Sequence, residues 1–284
     1  MSSTFKAACI QTNTTNDLDH NIKEVEQLVR EAADKGAQFI TMPENVFYMR
    51  AKDSDDVPLF TMEMHPGVQM CIALASELNV WLLIGSVFVP SSQDPTDGAR
   101  WYNRQLLINN SGTIVSHYDK IHLFDASFGE NKSYQESARI KHGEQVATAH
   151  LPWAYLGMTI CYDVRFPHLY RDLAKHGVDV LAIPAAFAYV TGVAHWHVLL
   201  RARAIENAAY VIAAAQCGTH PGDKKTYGHA MIISPWGEII AEAPEDETGV
   251  IVADIDMDYV KKIRSNMPTL THDRAYLPPP DYNI

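Results

Sequence analysis

The sequence has few cysteines, a shortage of positive charge and no long hydrophobic run. Its four cysteines (Cys9, Cys71, Cys161 and Cys217) form no Cys-x-x-Cys pair, which favours reduced thiols over a disulfide framework or a structural zinc site. The net charge of −11 argues against a nucleic-acid partner, because such partners need a basic face. No run approaches the roughly 18 apolar residues of a membrane span, and no secretory leader is recognisable at the start. We therefore expect a soluble, cytoplasmic protein with no membrane partner.

Nucleotide and metal motifs are also lacking. There is no Gly-x-Gly-x-x-Gly segment or phosphate loop, so no nucleotide cofactor is expected. The 13 histidines raise the alternatives of a papain-like Cys/His pair or a metal site. His195 and His197 are two residues apart on a predicted helix and so point to different faces, while His117 and His122 lack ligand spacing. Neither a cofactor nor a metal is expected.

Strand and helix periodicities alternate along the chain. The strand Phe5–Gln11 precedes a helix whose apolar residues run from Ile22 to Ala32, and Gly36 stops it. The other predicted elements are strands Ala37–Met42, Val80–Val89, Leu156–Ile160, Val178–Ile183 and Tyr210–Ala215, helices Pro66–Asn79, Pro167–Lys175 and His195–Asn207, and hairpins Trp101–Tyr118, around Asn110-Ser111-Gly112, and around Pro235-Trp236-Gly237.

This alternation predicts an α/β fold, and the hairpins make the sheet mixed instead of purely parallel. No linker or repeat interrupts the series, so we expect a single domain over residues 1–284, with 271–284 as a C-terminal tail. Ser91–Arg100 is interpreted as a polar loop. The proline-rich segment Leu277–Asp281 is interpreted as extended chain.

Three unlike reactive residues stand at the C-terminal ends of predicted strands. Glu44 follows Ala37–Met42, Lys120 follows the second strand of the first hairpin, and Cys161 ends Leu156–Ile160. Ligands of α/β sheets usually bind at that edge, so the three side chains can converge. When each residue is considered alone, an interpretation without catalysis is favoured. Cys161 would be a small buried hydrophobe, Glu44 a helix cap and Lys120 a solvated charge.

As a set, the three residues suit attack on an amide. A carboxylate can accept the thiol proton, a thiolate can add to the carbonyl, and an ammonium can stabilise the resulting oxyanion. The same carboxylate would then activate water against the thioester, and a pKa raised by burial would favour this repeated use. The backbone N–H of Tyr162 should complete the oxyanion site, because the turn after a strand-end nucleophile points such groups inward.

Three segments, in the same order along the chain, resemble the signature segments of the nitrilase superfamily. They are Met42-Pro43-Glu44-Asn45, Tyr118-Asp119-Lys120-Ile121-His122-Leu123-Phe124 and Cys161-Tyr162-Asp163-Val164-Arg165-Phe166-Pro167. The similarity continues through Ala194-His195-Trp196, Arg201-Ala202-Arg203-Ala204-Ile205-Glu206 and Tyr227-Gly228-His229. It therefore extends over nearly the whole chain.

The resemblance implies a Glu-Lys-Cys triad of Glu44, Lys120 and Cys161 in a four-layer αββα sandwich, assembled as a homodimer or higher homo-oligomer. It also implies that Glu136, in Tyr134-Gln135-Glu136-Ser137, positions the substrate or the lysine. The alternative for Glu136 is an exposed loop acid. A further alternative for the whole chain is a binding protein that retains the fold without activity.

Within the superfamily, three segments most resemble the branch that contains deaminated glutathione amidase and the omega-amidases: Asp163-Val164-Arg165-Phe166-Pro167, Tyr227-Gly228-His229 and Pro235-Trp236-Gly237. This implies hydrolysis of a small carboxylate-bearing amide to the acid and ammonia, with deaminated glutathione preferred and 2-oxoglutaramate or an N-carbamoyl amino acid as alternatives. Arg165, four residues after Cys161, is predicted to lie at the pocket mouth and bind the carboxylate. Its alternative is a brace to Asp163 or another acid. His197 departs from the glutamate common in this branch, and this affects specificity if it lines the pocket.

Overall fold

The computed structural model describes residues 3–52, 55–91, 100–128 and 133–277. In these ranges there are five helices: α1 (Leu18–Asp34), α2 (Pro66–Leu78), α3 (Pro167–Lys175), α4 (Tyr189–Asn207) and α5 (Met257–Asn266). The strands are β1 (Thr4–Thr12), β2 (Phe39–Thr41), β3 (Trp81–Pro90), β4 (Trp101–Ile108), β5 (Ile114–Asp119), β6 (Asp125–Ser127), β7 (Ser133–Gln135), β8 (Ala147–His150), β9 (Tyr155–Met158), β10 (Val180–Ala182), β11 (Tyr210–Ala213), β12 (Ala215–His220), β13 (Lys224–Tyr227), β14 (Met231–Ile233), β15 (Ile239–Glu242) and β16 (Gly249–Asp256).

Strand periodicity places β1 between two cores. Because successive side chains of a strand point to opposite faces, Ala8 and Ile10 pack with the apolar stripes of α1 and α2. Ala7 and Cys9 face the other way, into the core that β9, β10 and β11 share. The β1 sheet therefore has helices on one face and a second sheet on the other.

Both large sheets are mixed. The first has the order β13-β12-β1-β2-β3-β4-β5, with β16 paired antiparallel to β1. The second has the order β15-β14-β11-β10-β9-β8, in which β9, β10 and β11 are parallel. The outer face of the second sheet packs against α3 and α4 through residues such as Leu173 and Leu200. The α/β class, the mixed sheets and the αββα layering are thus confirmed.

The largest difference from the sequence-based prediction is the start of α4. The helix begins at Tyr189, six residues before the predicted His195 (195 − 189 = 6). Its first turns contain Thr191 and Gly192, which have low helix propensity and weaken the helical pattern. Gly192 is needed there because a Cβ would lie 2.3 Å from Cβ of Tyr227. Tertiary packing against β13 therefore determines where the helix begins.

Other elements were not anticipated, namely α5, the strands β12, β13 and β16, and the short strands β6, β7 and β8. The predicted loop Ser91–Arg100 falls mostly on residues 92–99, outside the described residues, as does most of the predicted extended end at 278–281. The described start of the tail contacts α3, where Asp273 forms ion pairs with Arg171 at 2.6 Å and with Lys175. None of the helices in the described ranges is long and apolar enough to cross a membrane.

Candidate active site

Glu44 is held in a turn directly after β2. The turn lies close against β3, where a Cβ on Gly85 would be 1.9 Å from the Met42 carbonyl oxygen, so only glycine permits this approach. The next residue, Ser86, accepts a hydrogen bond from the Asn45 amide at 2.9 Å. The tight packing against β3 fixes the backbone from which the Glu44 side chain extends.

The Glu44 carboxylate is 3% exposed and has donors on both oxygens. Oε1 accepts from Lys120 Nζ at 2.8 Å and from Asn103 Nδ2 at 2.9 Å, and Oε2 accepts from the Ala186 amide at 2.9 Å. Burial raises the pKa of Glu44, but the Lys120 ammonium and these hydrogen bonds outweigh it and leave the pKa lowered. The carboxylate is therefore ionised at neutral pH, in contrast to the raised pKa expected from burial alone.

Lys120 joins two carboxylates. Its Nζ donates to Glu44 and to both oxygens of Glu136, at 3.0 Å and 2.9 Å, and its side chain is 2% exposed. Burial lowers the pKa of Lys120, but the negative charges of Glu136 and Glu44 raise it by more than burial lowers it. The pKa of Lys120 is therefore well above its ordinary value. Glu136 also accepts from the Phe124 amide at 2.7 Å and is 12% exposed. The structure thus places Glu136 against Lys120 and not as an exposed loop acid.

Cys161 begins a short 3-10 turn after β9 and has a left-handed φ of 48°. This conformation costs a non-glycine residue free energy and persists where the surroundings enforce it, most often at functional sites. Its amide donates to the Pro184 carbonyl at 2.9 Å, and its side chain is close enough to Glu44 and Lys120 for both charges to act on the thiol. Burial and then the Glu44 carboxylate raise the pKa of Cys161, although Lys120 opposes them. The thiol is therefore protonated, and the nearby Glu44 carboxylate can accept its proton.

A buried aspartate connects the Cys161 turn to the Lys120 turn. Asp163 is fully buried and accepts from the Tyr118 hydroxyl at 2.8 Å, the Ile160 amide at 2.9 Å and the His122 amide at 3.1 Å. Tyr118 and His122 lie two residues on either side of Lys120. The Asp163 carboxylate therefore fixes the distance between the thiol and the ammonium.

These groups open into one cavity of about 100 Å³. Its lining includes Glu44, Lys120, Glu136, Cys161, Phe124 and Tyr134, together with Met49, His220, Thr226 and the basic residues Arg50, Lys224 and Lys225, which we call the basic side of the cavity. The volume suits the reacting end of a small molecule, and the remainder of a longer substrate would extend toward the basic side. A carboxylate, a thiol and an ammonium in one cavity can carry out nucleophilic addition to a carbonyl group.

His220 is the histidine that lines this cavity among the described residues. Its Nδ1 is 2.9 Å from the Thr14 carbonyl oxygen and its Nε2 is 2.7 Å from the Thr226 hydroxyl. Burial lowers its pKa, so the ring is neutral, donating to Thr14 and accepting from Thr226. Both nitrogens are thus used, and this geometry gives no support to a papain-like Cys/His pair.

Arg165 is not among the described residues that line the cavity. Its guanidinium lies 5.0 Å from the Phe187 ring centroid, and its Nη1 is 3.2 Å from His195 Nδ1. The alternative brace to Asp163 is not present either, because the Asp163 oxygens accept from Tyr118, His122 and Ile160. Arg165 instead ends the turn that Cys161 begins, and its guanidinium stacks over the rings of Tyr162 and Phe187.

The structure brings together the predicted Glu44, Lys120, Glu136 and Cys161, with Tyr162 next to the thiol. Sequence reasoning missed Asn103, whose amide lies between Glu44 and Glu136 at 2.9 Å and 3.3 Å. The polar run Asn103-Arg104-Gln105 inside β4 was the available signal. Sequence reasoning also missed the basic residues of the cavity lining, for which the adjacent lysines at 224 and 225 were the signal.

Comparisons with known proteins agree on one family. A family profile described as carbon–nitrogen hydrolase matches residues 6–265. Deaminated glutathione amidase of Synechocystis sp. is 38% identical over 270 residues, covering 94% of this chain and 97% of the relative. Deaminated glutathione amidase of Homo sapiens is 35% identical over 271 residues, covering 95% of this chain and 82% of the relative.

A solved structure with the same architecture is the nitrilase and fragile histidine triad fusion protein, NitFhit, of Caenorhabditis elegans. It superposes with a TM-score of 0.86 at 33% sequence identity and covers 96% of this chain. The match covers 66% of the longer fusion protein, so the similarity concerns that part of it alone.

Proposed function

The chain belongs to the carbon–nitrogen hydrolase family and is an amidase, and from this membership we propose that it hydrolyses a small carboxylate-bearing amide, with deaminated glutathione as the first candidate. The membership confirms the resemblance carried by the three signature segments. The observation that supports the proposal best is the convergence of Glu44, Lys120 and Cys161 in one cavity.

In the proposed cycle, Glu44 accepts the Cys161 proton as the sulfur adds to the amide carbonyl. Lys120 Nζ and the Tyr162 amide then hold the oxyanion; the Cys161 amide is already used by Pro184. The tetrahedral intermediate collapses, the carbon–nitrogen bond breaks, and the Glu44 proton passes to the leaving nitrogen, releasing ammonia. Water, deprotonated by Glu44, adds to the thioester; the carbon–sulfur bond then breaks, the acid is released, and the proton on Glu44 returns to the Cys161 sulfur. Glu136 positions Lys120 throughout.

A test of this cycle is intact-mass analysis after rapid mixing with candidate amides. We expect an acyl adduct on Cys161 with deaminated glutathione, together with stoichiometric release of ammonia. An adduct only with 2-oxoglutaramate or an N-carbamoyl amino acid would transfer the assignment to those substrates. Absence of both adduct and ammonia with every amide would leave a protein that binds without catalysis.

The pH dependence of the reaction should reflect the lowered pKa of Glu44. Since this pKa lies below the ordinary 4.5, the carboxylate stays ionised as pH falls, and kcat/KM should not decline between about pH 8 and pH 5. A pH–rate profile of the unmodified enzyme measures this. An acid limb centred near about pH 6–7 would mean that burial dominates and that the Lys120 ammonium does not offset it.

Substrate selectivity is proposed to come from the basic side of the cavity. Lys225 lies there with its Nζ 3.7 Å from the Tyr189 ring centroid and 3.4 Å from a Glu245 oxygen. Lys225→Met should raise KM for a carboxylate-bearing amide by roughly 10-fold or more, the value of a charge-assisted hydrogen bond, and spare a neutral analogue. Lys261→Met, at an exposed lysine of α5, is the matched control.

The same KM measurements with acidic and neutral amides test the prediction that Arg165 binds the substrate carboxylate. If Arg165→Ala, and not Lys225→Met, selectively raises KM for the acidic amide, Arg165 is the residue that binds the carboxylate. Equal losses on acidic and neutral amides would instead identify Arg165 as a brace of the Cys161 turn. If the unmodified enzyme shows no preference for the acidic amide, the deaminated glutathione assignment fails while the triad chemistry stands.

We also propose that the chain acts in the cytoplasm as a homodimer or higher homo-oligomer. The buried free thiols of Cys9, Cys71, Cys161 and Cys217 suit a reducing compartment. Sedimentation equilibrium measures the assembly, and a monomeric mass at enzymatic concentrations would contradict it.

A further inference from the structure

A second group of reactive side chains lies outside the cavity. His197 on α4, His229 between β13 and β14, and Glu242 at the end of β15 point toward one another. His197 Nε2 is 2.8 Å, and His229 Nδ1 is 2.7 Å, from the same Glu242 oxygen. The three atoms lie within 4.8 Å of one another. We call these residues the His–His–Glu cluster.

We propose that the His–His–Glu cluster binds one divalent transition-metal ion, with zinc as the best match. Two imidazole nitrogens and a carboxylate oxygen are common zinc ligands, and a water completes four-coordination. Calcium and magnesium fit poorly, because both prefer sets of oxygen ligands. Spacing along the chain could not reveal the site: the ligands are 32 (229 − 197) and 13 (242 − 229) residues apart.

The backbone around His229 is fixed before any ion binds. Its φ is 54°, and its carbonyl accepts the indole N–H of the buried Trp196 at 3.0 Å. At the preceding residue, Gly228, a Cβ would lie 1.8 Å from the Glu245 carbonyl oxygen. Trp196 also precedes His197 on α4, so the same contact sets the separation of the two imidazoles. A ligand pair fixed in this way loses little conformational entropy on binding.

Charge and access both favour a cation. The cluster offers an ion two imidazole nitrogens and one carboxylate oxygen, and the carboxylate supplies a negative charge. The side chains of His197, His229 and Glu242 are 30%, 19% and 33% exposed. An ion can therefore enter from solvent and retain a water ligand.

Binding requires the three side chains to adjust, and the two imidazole nitrogens, which lie within 4.8 Å of each other, must also come to tetrahedral spacing. Ligand atoms about 2.0–2.1 Å from a tetrahedral zinc are about 3.3 Å apart, which is longer than the present nitrogen–oxygen distances of 2.7 Å and 2.8 Å. The Glu242 carboxylate must withdraw by about half an ångström, which a partly exposed side chain at a strand end can do. The competing description is a hydrogen-bonded brace, in which both histidines donate to Glu242 and no ion binds.

Calorimetric titration of Zn²⁺ into the metal-free full chain distinguishes the two. We expect one ion per chain and, at a hundredfold excess over Kd, a rise in Tm of roughly 5–10 °C. Because a Cys161 thiolate could also bind zinc, the titration is repeated with Cys161→Ala, which should retain the ion. Cobalt bound in place of zinc should give ligand-field bands without sulfur-to-metal charge transfer.

The variants His197→Ala and Glu242→Gln should each weaken zinc binding by tenfold or more, while His20→Ala, at an exposed histidine of α1, should not. Glu242→Gln keeps the side-chain shape, so the test survives if His197→Ala does not fold. The proposal is overturned if the chain binds no zinc, if binding disappears with Cys161→Ala, or if His20→Ala weakens it as much as the cluster variants do.

Discussion

Replacing Cys161 with alanine should lower kcat/KM by roughly 10⁴-fold or more, the scale seen when a covalent nucleophile is removed. The substitution deletes the thiol that lines the cavity beside Glu44, while the backbone turn with its φ of 48° and the hydrogen bond from the amide of this residue to the Pro184 carbonyl should remain. Steady-state ammonia release measures the loss, and the acyl adduct should disappear with it.

Cys217→Ala is the matched control, because Cys217 is also a buried thiol but lies on β12 outside the described lining of the cavity. Its activity should stay within about twofold of the unmodified enzyme. Peptide mapping after brief treatment with iodoacetamide should find the label on Cys161, because Cys161 lines the cavity beside Glu44, whereas Cys9, Cys71 and Cys217 are completely buried outside its described lining. Wild-type turnover in Cys161→Ala would refute the assignment.

Lys120→Met should reduce both stability and activity. It removes the ammonium between Glu44 and Glu136 and leaves two carboxylates, 4% and 12% exposed, without their counter-charge. Loss of one partner of a buried ion pair costs about 3–5 kcal/mol, or roughly 6–20 °C in Tm for a chain of this size. Turnover should fall by roughly 10²–10³-fold, because an oxyanion donor is also lost.

A second substitution separates the two effects. Adding Glu136→Gln to Lys120→Met removes one of the two carboxylate charges that have lost their counter-charge. The double variant should therefore recover part of the lost Tm but none of the activity. Lys261→Met, which breaks an exposed ion pair with Asp258, should change stability by less than about 1 kcal/mol. If Lys120→Met melts like the unmodified protein, the buried ion pair is not formed in solution; if it retains full turnover, Lys120 does not hold the oxyanion.

Local patterns were sufficient to predict the layers and the reactive residues. The helical stripes of α1 and α3 and the buried apolar run of β1 are visible in consecutive residues, and Glu44, Lys120 and Cys161 each stand at the end of a predicted strand. The start of α4 was not predictable, because Gly192 satisfies a contact with Tyr227, 35 residues away (227 − 192 = 35). Helix propensity describes each residue in its local segment and takes no account of contacts with residues so distant in the sequence.

The same reason explains the site residues that were missed. Asn103 is a site residue only because β4 lies beside the Glu44 turn, 59 residues earlier in the chain. The direction of the Glu44 pKa shift was also inaccessible, since it depends on whether Lys120 or burial dominates at one carboxylate. Such quantities require distances between side chains from different elements.

The hydrogen bonds of Asp163 distinguish the parts of this enzyme that can accept mutations from the parts that cannot. By joining the Cys161 turn to the Lys120 turn, they make the reacting groups one rigid unit in which a displacement of either disturbs both. The lysines of β13 share none of these hydrogen bonds and belong to a different segment of chain. Mutations there can alter which amide is accepted while the bond-breaking geometry stays constant, so new substrates can evolve on this scaffold without the chemistry being rebuilt.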